Sequence, residues 1–273
     1  MKLVNQFLFC CFFIVLVLHS SRPATSKEVD DEREFDYSET SGKGPSQWGD
    51  IHPEWSLCRD GSMQSPIDLL NESVQIVSHL GRLNRNYHPS NATLKNRGHD
   101  MMLEWEGGAG YIEINGTQYV LQQSHWHSPS EHAINGRKFA LELHMVHESS
   151  DGKFAVVGIM YTIGSPDSFL SSIRHQLSDV AGNSEEVTAM GIVDPNNIEM
   201  GSRKYYRYIG SLTTPPCTEN VVWTIETKVR TVTREQVSLL RVAVHDESDT
   251  NARPLQPING RPVYLYKPTE VED

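Results

Sequence analysis

The chain has 273 residues, 38% of them hydrophobic and 22% charged, with 35 acidic against 24 basic side chains and a net charge of −11. That length suits one large domain or two small ones. The acidic balance argues against nucleic acid or an anionic membrane as a partner, and no basic patch stands out along the sequence to offset it.

Lys2 followed by the uncharged apolar run 7–18 has the layout of a secretory signal peptide, being too short to span a bilayer. Residues 1–26 are therefore expected to be removed, with cleavage between 20 and 26. No later segment is apolar enough for a membrane span, so the mature protein is expected to be soluble. Residues 27–40 carry Glu28, Asp30, Asp31, Glu32, Glu34, Asp36 and Glu39 with few apolar side chains. That composition predicts a solvated, mobile leader. Residues 41–273 contain no linker or repeat and read as a single domain.

Cys10 and Cys11 fall in the signal peptide, leaving Cys58 and Cys217 as one candidate disulfide or as two buried thiols. A bridge would close a loop of about 160 residues, for which chain entropy gives roughly 5 kcal/mol. Asn71, Asn91 and Asn115 each open an Asn-x-Ser/Thr sequon and are candidate glycosylation sites.

Strands are predicted over 101–105 and 111–114, separated by a turn at Gly107-Gly108, and again over 118–122. The intervening Asn115-Gly116 step has the chemistry of a type I′ hairpin. Further strands are expected over 139–146, 155–163 and 221–229. Helical pattern is confined to 166–177 and 234–242, the second capped by Thr233. Residues 245–262 read as irregular. The expected fold is mainly β (α+β), a single domain on a large, mostly antiparallel central sheet with a few short peripheral helices.

Within this β-rich pattern lies Ser124-His125-Trp-His127. Side chains at i and i+2 of a strand share a face, so His125 and His127 present two imidazoles side by side. The run 141–147 alternates too, placing Glu142, His144 and Val146 on one face. An antiparallel return would bring His144 beside the pair. Three neutral imidazoles converging on one point suit a catalytic zinc that keeps its fourth position open. Gln123 and Glu142 stand two residues before His125 and His144, where each can accept the second ring N–H of its histidine and orient it. A zinc metalloenzyme is the leading expectation.

Several separated motifs then coincide: Gly44-Pro-Ser-Gln-Trp48-Gly, Gln64-Ser-Pro-Ile-Asp68, Asn96-Arg-Gly-His99, His125-Trp-His127-Ser-Pro-Ser-Glu131-His132, Glu142-Leu-His144 and Ser211-Leu-Thr213-Thr214-Pro-Pro. In this order they resemble the α-class carbonic anhydrases, closest to the plant-type members, from about Tyr37 to Tyr266. The resemblance implies reversible hydration of carbon dioxide to bicarbonate and a proton by hydroxide on a Zn²⁺ held by His125, His127 and His144. It implies that Thr213 donates to Glu131 and orients that hydroxide, and that Thr214 contacts substrate. Val146, Val156, Leu212, Val221 and Trp223 match the apolar wall for carbon dioxide. The backbone carbonyl of Asn251 would support His127, Cys58 and Cys217 would form the disulfide, and His99 would carry the proton out, as a group titrating near neutrality can.

Arg97, Met102 and Ser128 depart from the pattern of animal members near the proton path. His132, His147, His52 and His245 are expected to be structural. The expected location is extracellular or apoplastic, with a chloroplast reached through the secretory pathway as the alternative. Two rival functions remain: a catalytically weak or inactive storage or binding protein on the same fold, and a zinc hydrolase of another fold.

Overall fold

A computed structural model describes residues 34–181, 187–242 and 250–269. The predicted signal peptide, the first part of the leader and His245 lie outside the described residues. Among those described, a 13-stranded mixed sheet dominates, and a two-stranded pair lies apart from it. Its central run is antiparallel: Met101–Trp105, Thr117–His127, Leu141–Ser149 and Phe154–Ile163 are successive neighbours. Parallel pairing enters where Phe154–Ile163 meets Glu219–Glu226 and Arg230–Val232. No helix among the described residues is long and apolar enough to cross a membrane.

The Asn115-Gly116 hairpin forms as its chemistry demands, with φ of 51° and 77° at the two turn residues. The following strand continues without a break from Thr117 to His127. A bulge at Gln122 interrupts its ladder with Leu141–Ser149, between Leu121↔His147 and Gln123↔Val146. The extra residue reverses the alternation. Tyr119 and Leu121 thus pack into the larger core on one face, while Gln123, His125 and His127 face the other way.

The helix 234–242 spans Arg234–Val242 as expected, and Gln236 N donates to Thr233 Oγ1 while Thr233 N donates back to Gln236 Oε1. The helix expected over 166–177 is instead two, Ser168–Ser172 and Arg174–Val180. Ser171 and Ser172 hydroxyls donate to the Asp167 and Phe169 carbonyls, a local competition that bends a helix, and Ile173 turns at the junction. Likewise the strand 221–229 ends at Glu226, and Arg230–Val232 forms a separate strand.

The leader expectation needs correction from residue 34 onward. Phe35 and Tyr37 are buried with Trp48, Trp55 and the Cys58–Cys217 disulfide in a third hydrophobic cluster. The Phe35 ring stands edge-on to Trp48 at 5.3 Å, and Trp48 Nε1 donates to the carbonyls of Asp36 and Lys43. Two aromatic side chains thus anchor a segment whose acidic composition suggested solvation. Arg253 ties this cluster to the sheet: its guanidinium lies 5.6 Å from the Trp48 ring and donates to Gln64 Oε1, Ser65 O and Cys58 O. Asn71, Asn91 and Asn115, the three sequon asparagines, are all exposed.

His147 is fully buried, with Nδ1 on the Ala155 carbonyl and Nε2 receiving the Tyr87 hydroxyl at 2.8 Å. Burial pushes its pKa down to about 4, with the backbone bonds acting against the shift. The unfolded chain takes up a proton near pH 6.5 that the folded chain refuses, so this stability is present above pH 6.5 and lost as pH falls towards 4. Urea unfolding across that window should show this proton as ~1.4 kcal/mol per pH unit, absent in His147→Gln. An identical slope in the two proteins would contradict it. Phe35→Ala should lower unfolding stability by about 3 kcal/mol, the typical cost of emptying a buried aromatic site. A loss below about 0.5 kcal/mol would mean the aromatic anchor is not formed in solution.

Candidate metal centre

His125 lies directly opposite His144 in the antiparallel register, and His127 lies opposite Glu142. The ring centroids of His125, His127 and His144 are 4.7–5.2 Å apart, and all three residues are buried. Each ring is fixed through one nitrogen. His125 Nδ1 meets Gln123 Oε1 at 2.8 Å, His127 Nδ1 meets the Asn251 carbonyl at 2.6 Å, and His144 Nε2 meets Glu142 Oε1 at 2.9 Å. These acceptors leave His125 Nε2, His127 Nε2 and His144 Nδ1 for a shared ligand.

Gln123 and Glu142, the two groups read from strand spacing, are the partners of His125 and His144. Donor atoms of the three histidines lie within 4.8 Å of one another. His127 Nε2 is buried and has no hydrogen-bond partner among the described residues. An orphaned buried imidazole nitrogen is costly unless something coordinates it. Burial drives the His125 pKa well below 6.5 against the opposing charge of Asp100, which keeps the ring neutral and able to ligate. The residues present therefore fit a zinc ion: three buried imidazoles, each aimed by a second acceptor.

Behind this trio runs a network that sequence reasoning missed. Glu142 also accepts from His132 through both its backbone N–H and Nδ1, at 2.8 and 2.7 Å. His132 Nε2 meets Tyr208 Oη at 2.6 Å, and Tyr208 meets Ser65 Oγ at 2.8 Å. Burial alone would raise the Glu142 pKa, but the charges and hydrogen bonds of His132 and His144 hold it well below the usual range. His132, Glu142 and His144 form a second group of potential ligands. Their mutual hydrogen bonds account for that grouping without an ion. The Glu-x-His spacing and the His132 imidazole were visible; the partner Tyr208 lies 76 residues away.

Glu131 is fully buried, with Oε1 accepting from Arg253 N at 2.8 Å. Its Oε2 has no hydrogen-bond partner among the described residues and lies 3.6 Å from His127 Nε2 and 3.9 Å from His144 Nδ1. The expected bond from Thr213 to Glu131 is therefore not formed, because this carboxylate oxygen is turned towards the imidazoles. Thr213 and Thr214 are both buried, and Thr214 Oγ1 has no hydrogen-bond partner among the described residues. Val146, Val156, Leu212, Val221 and Trp223 belong to one buried cluster, with Val156 paired to both Val146 and Trp223. Trp223 packs on His144 at 4.8 Å, so this apolar wall adjoins the trio.

His99 is buried rather than on an open loop. Its ring lies 4.8 Å from Phe35, its Nε2 is 3.8 Å from Asp100 Oδ2, and its carbonyl accepts from Asn251 Nδ2. Asp100 is in turn bonded to the buried Arg97 at 2.7 and 2.5 Å. Asn251 holds His99, Trp126, His127 and Ser128 together through one side chain and one carbonyl.

The family model of eukaryotic-type carbonic anhydrase matches residues 43–267. Alpha carbonic anhydrase 7 of Arabidopsis thaliana is 60% identical over 265 residues, covering 95% of this chain and 96% of its own. Among solved structures, dioscorin complexed with ascorbate superimposes with a TM-score of 0.84 at 43% identity, covering 87% of this chain and 99% of that one. The α-carbonic anhydrase of Thermovibrio ammonificans, bound to the inhibitor sulfanilamide, gives 0.76 at 33% identity over 84% and 98%. With sequence, sheet and histidine geometry in agreement, the chain belongs to the eukaryotic-type carbonic anhydrase family.

Proposed function

We propose that this protein is a zinc-dependent carbonic anhydrase that interconverts carbon dioxide and bicarbonate. The observation that carries the reading is the buried trio His125, His127 and His144, each ring oriented by its own acceptor so that three nitrogens face one point. Zinc bound there supplies a nucleophilic water by lowering its pKa to about 7, the established figure for carbonic anhydrases and not a quantity obtained from this chain.

The chain's own residues then have separable roles. Glu131, anchored by Arg253 N–H, would accept from the Thr213 hydroxyl once its Oε2 turns away from the imidazoles it now faces. Once Thr213 donates there, its oxygen can only accept, which fixes the orientation of an attacking O–H group. Thr214 Oγ1, buried and without a partner among the described residues, would donate to a substrate oxygen. Val146, Val156, Leu212, Val221 and Trp223 provide an apolar resting place for an uncharged substrate and exclude competing water. His99 accepts the proton and passes it outward, with Phe35 against its ring.

The amino-terminal apolar run supports passage through the secretory pathway to the apoplast, a chloroplast reached by that route being the alternative. The likeness to dioscorin supports a second reading, a storage or ligand-binding protein with weak or absent hydration. Metal analysis with a pH-drop hydration assay separates the two. The expected result is one zinc per chain and robust hydration. Zinc-loaded protein no faster than buffer would select the second reading.

His144→Ala should lose bound zinc and at least ~10³-fold in hydration rate, since the nucleophile depends on the ion. Undiminished hydration by a zinc-free variant would sink the scheme. His99→Ala should lower turnover by at least about 10-fold in weak buffer, with recovery in imidazole. Unchanged turnover in weak buffer would remove His99 from proton transfer.

A further inference from the structure

Away from the histidine trio, a trough enclosing about 400 Å³ is lined by Arg85, Tyr87, Glu199, Gly201, Lys228 and Arg230 among others. Tyr87 bonds His147, which lies on the face of its strand opposite His144. Two further hollows continue the trough, one sharing Arg85 and Gly201 with it and the other sharing Lys228 and Arg230. Their walls add Arg82 and Arg203, so five cationic side chains gather in an otherwise acidic protein. No such patch was expected from the sequence, because its members come from three separate segments, 82–85, 201–203 and 228–230.

Gly201 marks the focus. A Cβ there would lie 3.5 Å from Lys228 Nζ and 3.7 Å from Arg230 Nη1, so the two cationic heads converge over one point, at most about 7 Å apart. Nothing in the backbone requires this glycine: its φ is outside the left-handed region, and a Cβ would meet only side-chain ends at ordinary contact distance. The space above it is what glycine preserves. Lys228 is exposed and makes no hydrogen bond or ion pair with the described residues. Arg85 and Arg230 are aimed by backbone carbonyls, Arg85 Nη1 donating to Met200 O at 3.3 Å and Arg230 Nη1 to Glu199 O at 2.7 Å.

We propose that this trough is a binding site for a small multivalent oxyanion, a polycarboxylate or an oligophosphate, held by Lys228 and Arg230 above Gly201 with Arg85 at its far end. Cations spread along a groove favour a ligand with several oxyanion groups over a single ion. Three carboxylates temper the site, one of them Asp167 in the hollow that shares Lys228 and Arg230. Glu199 is ion-paired to Arg230, so the ligand shares that guanidinium. Glu226 is buried at the trough wall, accepting from Gly201 N at 3.2 Å. This inference does not depend on the hydration reading.

The test is calorimetric titration of the full chain with pyrophosphate and, separately, with citrate at constant ionic strength. Lys228→Glu removes the free cation. Gly201→Leu fills the focal space and keeps every charge. Both should weaken binding at least about 10-fold with an unchanged unfolding midpoint, while Lys228→Arg stays within about 3-fold of the parent. Dependence seen only with citrate assigns the site to carboxylates, and only with pyrophosphate to phosphates. Failure of both probes to bind at millimolar concentration, or equal binding by parent, Lys228→Glu and Gly201→Leu, would overturn the proposal. The equal-binding case would place the anions elsewhere, the metal centre included.

Discussion

The convergence of the histidine trio depends on one irregularity, the bulge at Gln122. Strand alternation carried unbroken through 117–127 would put Leu121 and His125 on the same face. The bulge inserts one residue, so Leu121 enters the large core while Gln123, His125 and His127 turn to the opposite side. Register with Leu141–Ser149 then sets His125 opposite His144 and His127 opposite Glu142. A one-residue slip would reverse these assignments and scatter the imidazoles.

Placement of the rings is only half of what ligation needs; each ring must also present the right nitrogen. Three acceptors of different kinds settle that choice: an amide at Gln123, a carboxylate at Glu142 and a main-chain carbonyl at Asn251. The carbonyl comes from the irregular segment that also carries Arg253, whose N–H fixes Glu131 and whose guanidinium reaches Gln64, Ser65 and Cys58. Burial lowers the Arg253 pKa only to about 10, so the side chain remains a cation at neutral pH. It links the aromatic anchor of the leader, the disulfide and the carboxylate beside the histidine trio. Packing and site geometry share this residue.

Much of this was legible wherever the determining contacts are local. The Asn115-Gly116 turn, the Thr233-capped helix, the His-x-His pair and the Gln123 and Glu142 supports all follow from spacings of a few residues. Features made by distant partners were not legible. Phe35 and Tyr37 sit in an acidic stretch, and Trp48, Trp55, the Cys58–Cys217 disulfide and His99 give them a core to enter. Asn251 contributes a backbone oxygen, which leaves no mark in side-chain chemistry, and only family resemblance pointed to it. The strand Tyr205–Ser211 went unread: it carries Arg207 in a buried position, where Thr224 receives its Nε. The cationic trough escaped notice for the same reason, since its charges converge only after folding.

The central claim is that these particular nitrogens hold zinc. An anomalous difference map recorded at the zinc edge from crystals of the purified protein tests it most directly. The account predicts a single strong peak about 2.0–2.1 Å from His125 Nε2, His127 Nε2 and His144 Nδ1. A peak on another set of atoms, His144 Nε2 with His132 and Glu142 among them, would contradict it, as would zinc-supplemented crystals with no peak at the trio.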